Sequence, residues 1–354
     1  MSLYILKRLL ILIPTLLGVM TLSFIITQFV PGGPVDHVLA TIDSENGRGG
    51  NGDGIATGSS FNYSARNGIT PKQIDQLTNL YGFDKPLHER FFSTIKNLLT
   101  FNLGESYYQH QSVGSLIKEK LGVSIALGTW TFLLTYLVSV PLGIAKAIRA
   151  GSRFDTISSL IVLIGYAMPG FILGVCLIVL FGGGSFWDIF PLRGLTSDNW
   201  DELSFTQKIL DYLWHVTLPV VSSAISLFAI KTLLTKNMFL DEISKNYVLT
   251  AKAKGLSHRR ILWKHVFRNT LLPLITGFPA TFIGAFFTGS LLIETLFSLD
   301  GLGLLSFESV NNRDYPVVLG SLYLFTLIGL LLKLLGDIAY VLADPRIKYS
   351  AQFN

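Results

Sequence analysis

Charge is scarce in this 354-residue chain: 14 % of its residues are Asp, Glu, Lys or Arg, while 50 % are hydrophobic and the mean hydropathy is +0.50. A soluble domain carries about 25 % charge, so the shortage excludes a chain that lives mainly in water and leaves a membrane protein. Cysteine is scarcer still. The single Cys176 excludes an intrachain disulfide and a cysteine zinc site. Catalytic signatures are missing as well: there is no G-x-x-x-x-G-K-[ST], H-E-x-x-H or G-x-S-x-G, and the glycine-rich GGNGDG lacks the lysine that reaches phosphate. His37, His88, His110, His215, His258 and His265 are scattered and read as surface or interfacial side chains rather than a metal site or triad. No catalytic, cofactor-binding or metal residue is expected.

What the sequence has instead is long apolar runs. Six of them, at about 9–30, 122–147, 156–182, 215–236, 271–297 and 316–342, are long enough to cross a bilayer as helices. The expected fold is all-α and polytopic, with six transmembrane helices and an extramembrane insert. The first run is too long for a signal-peptide core and lacks an A-x-A cleavage site, so residues 1–30 are read as a retained helix. Orientation follows from Lys and Arg. Fifteen lie on the side shared by both termini, whereas the short loops opposite hold only Arg193, Lys208 and Arg313, which places both termini and the 237–270 loop in the cytoplasm. Residues 31–121 then face outward. Within them 41–70 is rich in Gly, Ser, Asn and Asp and reads as a mobile loop, and 70–121 reads as short helices. One begins at Thr70 and Pro71, and another carries Leu87, Phe91, Phe92, Ile95, Leu98 and Leu99 at helical spacing. The core is 122–343 and the cytoplasmic tail 344–354.

The loop KNMFLDEISKNYVLTAKAKGLSHRRILWKHVFRNTLLP is more than a topological anchor. Leu240, Ile243, Tyr247 and Ala251 recur every three or four residues, Asp241 and Glu242 suit a first helical turn, and Lys252 and Lys254 suit a last one. Gly255 is placed as a left-handed cap with Leu256 as its apolar contact. Ser257 can then cap a second helix with apolar Ile261, Leu262 and Val266. A DNA-binding helix-turn-helix is excluded in practice, because both ends are tied within a few residues to bilayer spans. A docking knob for a cytoplasmic protein fits better.

At this stretch the chain resembles the permease subunits of bacterial ABC importers, in particular those of the dipeptide/oligopeptide family. Their E-A-A-x-x-x-G motif corresponds to Leu249 through Gly255, with Leu249 and Thr250 replacing the Glu and first Ala, and HVFRNTLLP matches the peptide branch's H-x-x-R-N-x-x-L-P. The resemblance extends through LKRLLILIPTLLGV, VPGGPVD, YGFDKPL, LGES, FPATFI, ETLFSLDGLG, RDYPVV and DPRI, with Asp300-Gly301-Leu302-Gly303 in place of the family's P-G-x-G. PGGPVD and an insertion around 41–66 most resemble the Yej-type subgroup, associated with oligopeptides and the peptide-nucleotide antibiotic microcin C. The resemblance implies coupling helices at 239–268, with Tyr247, Thr250, Ala251, Lys254, Gly255, Leu256, His258 and Arg259 in contact with an ATPase. It also implies a second homologous permease, cytoplasmic ATP-binding subunits holding ATP and Mg²⁺, a periplasmic substrate-binding protein, a peptide cargo, lipid around the spans and no nucleic acid. Glu294 and Phe297 fall on the family's E-x-x-F, and with Asp337 they are the pathway or gating candidates. The rival reading is an ion-coupled secondary transporter using Glu294, Lys333 and Asp337, the last two pairing on one helix face. Lys231, near the cytoplasmic end of its span, reads as a snorkelling side chain. Gly170 and Gly174 form a small-residue surface for close helix approach.

Overall fold

The computed structural model describes residues 2–29, 84–184, 186–278, 281–282 and 291–343. The Gly-rich stretch 41–70, the helix expected from Thr70 and the 344–354 tail lie outside these residues, as does much of the expected fifth span. The described helices are α1 (Ser2–Phe29), α2 (Leu87–Leu99), α3 (Val113–Ile148), α4 (Arg153–Ala167), α5 (Gly170–Phe181), α6 (Phe205–Ile243), α7 (Asn246–Ala253), α8 (Phe267–Thr276), α9 (Leu291–Leu296), α10 (Leu302–Asn311) and α11 (Tyr315–Ala343). Short helical turns at Trp200–Glu202 and His258–Arg260 and a π-helical stretch at Ile261–Val266 complete the helical inventory. The only extended pairings among the described residues are two isolated bridges, Glu105 with Ser112 and Gly182 with Phe190.

Among the described residues four helices are long and apolar enough to cross a membrane: Arg8–Phe29, Val113–Ile148, Phe205–Ile243 and Tyr315–Ile338. The expected third span, 156–182, is not straight. It breaks into α4 and α5 with a bend of 100°. The cause is local: Met168 precedes Pro169 and adopts an extended φ/ψ of −91°/119°, the region a proline imposes on its predecessor, and Pro169 has no N–H to continue α4. Counted as one span, the pair makes five among the described residues, and the remaining expected span, 271–297, falls partly outside them.

The chain divides into two compact units. The larger comprises Met1–Arg8, Lys120–Leu305 and Gly329–Asn354. Here α3 packs on α6 through Ser139, Gly143 and Ala147, spaced four residues apart. Ser139 Oγ donates to the Phe228 carbonyl at 3.0 Å. A Cβ at Gly143 would lie 2.7 Å from Thr235 Cβ, so only glycine allows this approach, as membrane helix pairs require. Gly170 and Gly174 serve the same end within this chain. A Cβ on Gly170 would meet the Ser222 carbonyl of α6 at 2.5 Å, and one on Gly174 would meet Leu296 of α9 at 2.8 Å.

The smaller unit comprises Leu9–Glu119 and Ser306–Ile328. Met20, Leu98 and Tyr323 form its buried core, with Leu16, Ile95, Leu103, Leu324 and Leu327 packed around them. The helical spacing read at 87–99 is real, but its apolar residues divide: Leu98 is buried, while Leu87, Phe92 and Leu99 are exposed. Asp314, 3 % exposed, anchors the turn before α3 by accepting from Ser106 Oγ at 2.5 Å and the Tyr107 N–H at 3.2 Å. Burial of this carboxyl raises its pKa above the usual carboxylate value, against the lowering effect of those hydrogen bonds.

Candidate functional site

The loop between α6 and α8 is built as a compact projection. At about 1.5 Å per residue the 39-residue α6 is roughly 59 Å long, about twice the hydrocarbon thickness. It therefore continues as helix beyond the expected 215–236 span, through Asp241 and Glu242 to Ile243. This corrects the sequence expectation that these acids open the coupling helix. They occupy the last turn of α6, and α7 begins at Asn246 after a break at Ser244 and Lys245.

Glu242 explains why the break occurs there. Its carboxylate, 8 % exposed, accepts from Lys245 Nζ, from Tyr247 Oη at 2.9 Å and from Asn269 Nδ2 at 3.0 Å. One acid thus ties the end of α6 to α7 and α8. Tyr247 has its pKa pushed up to about 12 by burial and by the Glu242 acceptor, so the phenol stays a donor at physiological pH.

The turn at Gly255 has the conformation the sequence demands. Gly255 has φ +74°, its N–H donates to the Lys252 carbonyl at 2.9 Å, and the Leu256 N–H donates to the Ala251 carbonyl at 3.3 Å. This pair of bonds is the Schellman closure of a helix. Ser257 holds the N-cap position of the next turn with φ/ψ −61°/144°, but its side chain makes no capping bond. Ile261, Leu262 and Val266 are buried together with Val248, Ala251, Phe239, Ile144 and Ala147. The periodic apolar face is therefore the face that packs on this chain's own core.

That packing sorts the coupling candidates. Ala251 is buried, and Tyr247 and Leu256 are partly buried against the same cluster, so these three shape the projection from beneath. Thr250, Lys254, Gly255, His258 and Arg259 are exposed and form its outer surface. Two exposed residues there were missed by sequence reasoning: Leu249, 60 % exposed, and Trp263, 52 % exposed. Leu249 opens the E-A-A-x-x-x-G stretch and Trp263 lies between it and HVFRNTLLP, and their lack of a place in the apolar period was the available signal. Trp263 lines an open groove with Ser257, Arg259, Arg260 and Lys264.

The pathway candidates are positioned differently. Glu294 is 1 % exposed, and its carboxylate accepts the Leu304 N–H at 2.7 Å, with a further backbone bond from Gly303, at the start of α10. A Cβ on Gly301 would lie 2.6 Å from the Glu294 Cδ, so the glycine leaves room for the acid. Phe297, 1 % exposed, packs with Leu127, Val216, Leu218, Val220, Ile293 and Leu299. The loop ETLFSLDGLG is thus self-bracing, with Lys120 paired to Asp300 and Ser124 Oγ accepting the Leu302 N–H. Asp337 pairs with Arg8 at 3.2 Å and not with Lys333, which is exposed. Lys231 does not snorkel. It is 7 % exposed, donates to Tyr136 Oη at 3.0 Å and Thr281 Oγ1 at 3.2 Å, and lies 4.7 Å from the Tyr136 ring centre. His215 is likewise internal, with Nδ1 at 2.8 Å from the Asp211 carbonyl. No group of His, Cys, Asp and Glu among the described residues could hold a metal ion.

Residues 139–349, which carry the α3–α6 contact, the projection and the ETLFSLDGLG loop, match the family described as binding-protein-dependent transport system inner membrane component. The chain belongs to this family. It is 53 % identical over 364 residues to the inner membrane ABC transporter permease protein YejB of Escherichia coli O157:H7, covering 99 % of this chain and 100 % of that protein. Identity is 52 % to the peptidoglycan transport system permease protein YejB of Agrobacterium fabrum, over 99 % of both chains. It is 30 % to the dipeptide transport system permease protein DppB of Lactococcus lactis subsp. cremoris, over 98 % of this chain and 99 % of that one. This inner membrane component is the permease of an ABC transporter, in which ATP hydrolysis resides in separate subunits. The ion-coupled reading has no support in the family.

Proposed function

We propose that this permease imports peptides, forming half of a translocation path with a second homologous permease. The relatives' names support the cargo: one carries dipeptides, and another serves peptidoglycan, whose fragments bear short peptides. In this reading both termini and the projection are cytoplasmic, as the distribution of Lys and Arg supports. A periplasmic binding protein delivers peptide to the opposite side, where the insert 31–121 faces outward. The permease itself holds no cofactor; ATP and Mg²⁺ belong to the ATPase subunits.

The observation that carries the coupling role is the Gly255 turn. It closes α7 onto the core through Ala251 while holding Thr250, Lys254, His258 and Arg259 outward, with Leu249 and Trp263 beside them. The surface mixes apolar anchors with cationic rim groups, the composition of a protein interface. ATP-driven closure of the ATPases moves this surface, and α6, continuous from Phe205 to Ile243, carries the movement along its length. Glu294 and Phe297 brace the loop leading into α10, and Asp337 fixes α11 to Arg8.

Reconstitution with the second permease, the ATPases and the binding protein tests the cargo. Uptake of a labelled oligopeptide should require ATP and be competed by other peptides and by peptidoglycan-derived peptides. Indifference to every peptide in the panel refutes the cargo. Peptide uptake by the lone chain refutes the ATPase partnership.

A further inference from the structure

Lys146 is the largest fully buried side chain among the described residues, at 0 % exposure. It lies near the end of α3, outside the docking surface. An ammonium offers three protons, and all of its short contacts fall on the first turns of α4: Ser158 Oγ and Ser159 Oγ at 2.8 Å each and the Asp155 carbonyl at 3.1 Å. Asp155 Oδ1 is 3.3 Å away. The same carboxylate accepts Lys236 Nζ from α6 at 2.7 and 2.8 Å and the Gly151 N–H at 3.2 Å. Lys236 alone neutralises Asp155, so a second buried cation is surplus as charge and carries a desolvation cost. What Lys146 adds is a tether between α3 and α4.

Its neighbours give the tether a direction. Ile144 and Ala147, flanking Lys146 on α3, share one buried cluster with Val248 and Ala251 of α7. The end of α3 therefore meets the coupling helix through an apolar face and α4 through the ammonium. Beyond α4 the chain turns 100° into α5, whose Gly170 and Gly174 press on α6 and α9. Hydrogen bonds to a backbone carbonyl and two hydroxyls are directional, whereas an apolar contact at that place would let α4 slide.

We infer that Lys146 is a positioning residue that transmits displacement of the docking projection to the bent α4–α5 segment, so that uptake stays tied to ATP hydrolysis. The inference rests on the docking role proposed for α7. Lys146→Met severs the α3–α4 tether while leaving Asp155 paired with Lys236, so no charge is orphaned.

The test uses the reconstituted four-component transporter in proteoliposomes and reads peptide taken up per ATP hydrolysed. In Lys146→Met the ratio should fall on the order of tenfold, the scale of a coupling interaction, with hydrolysis continuing. A ratio equal to wild type in an assembled complex overturns the inference. Should Lys146→Met fail to assemble, the double variant Ser158→Ala/Ser159→Ala removes two tethers and keeps the ion pairs. It should lower the ratio by about threefold, a smaller share of the same coupling, and an unchanged ratio again overturns the inference. Gly255→Val in the same assay separates the two ideas. If it leaves the ratio unchanged, the docking reading fails; if it lowers the ratio and the Lys146 and Ser158/Ser159 variants do not, only the tether fails.

Discussion

Replacing Gly255 by valine isolates backbone conformation from packing. Nothing lies within 4 Å of the position a Cβ would occupy, and φ is +74°, so the added Cβ meets no neighbour and the cost is that of the left-handed region. That region costs an L-residue about 1–2 kcal/mol, with β-branched residues at the upper end. The Gly255 to Lys252 and Leu256 to Ala251 bonds are the ones lost if the turn relaxes. A penalty of about 1–2 kcal/mol lowers the ratio of formed to open turn roughly 5- to 30-fold. Gly255→Val should therefore assemble and insert normally but show peptide uptake reduced several-fold, with the ATPases continuing to turn over. Asparagine enters the left-handed region readily, so Gly255→Asn should retain most of the uptake. The measurement is initial uptake at matched complex levels, with hydrolysis followed in parallel. Two results refute the reasoning: wild-type uptake by the valine variant, or equal loss in the asparagine and valine variants, which would make side-chain bulk the cause.

Gly301→Ala should lower the amount of folded permease, by about 1–3 kcal/mol as for other overpacked sites, because its Cβ would fall 2.6 Å from the Glu294 carboxyl carbon. Glu294→Gln should be milder, since an amide oxygen can still accept the Leu304 N–H, and thermal unfolding in detergent ranks the two. Tyr247→Phe should cost about 0.5–1.5 kcal/mol, one hydrogen bond, because Lys245 and Asn269 still hold Glu242; a melting temperature equal to wild type would show that the phenol contributes nothing. For topology, with Cys176 replaced by Ser, a cysteine at Ser59 should react with an impermeant thiol reagent in intact cells and one at Lys254 only after the membrane is opened. The opposite pattern overturns the orientation.

How much of this was legible in the sequence depends on how far apart the deciding residues lie. The Gly255 turn is settled within six residues, by a glycine where a left-handed residue is needed and an apolar residue after it, and the sequence reading of it stands. The end of α6 is settled by Asn269, 27 positions from Glu242, so Asp241 and Glu242 looked like the dipole-favoured opening of a new helix when they close an old one. The 100° bend was foreshadowed by Met168-Pro169, but hydropathy averages over such a break and reported one continuous span. Lys146 and Lys231 were harder still. Each looked like an ordinary cation at a membrane boundary, and each is buried by partners on other helices: Ser158, Ser159 and Asp155 for the first, Tyr136 and Thr281 for the second.

The loop between α6 and α8 shows what an amphipathic period marks in a short helix. Tyr247 and Ala251 are expected to contact an ATPase, yet they belong to the apolar period of Leu240, Ile243, Tyr247 and Ala251, and such a period marks the face a helix buries first; here that is this chain's own cluster around Phe239 and Val266. A partner can reach only what remains outside. On α7 that is the side carrying Leu249 and Thr250, and beyond the turn it is Lys254, His258, Arg259 and Trp263. The apolar period and the proposed contact surface are then two faces of one short helix. Substitutions at Ala251 should act through the stability of the projection, while those at Leu249 or Trp263 should weaken ATPase binding and leave the permease fold intact. Measuring thermal stability and ATPase affinity on the same variants separates the two faces, and a Leu249→Ala or Trp263→Ala variant with unchanged ATPase affinity would show that the docking surface lies elsewhere.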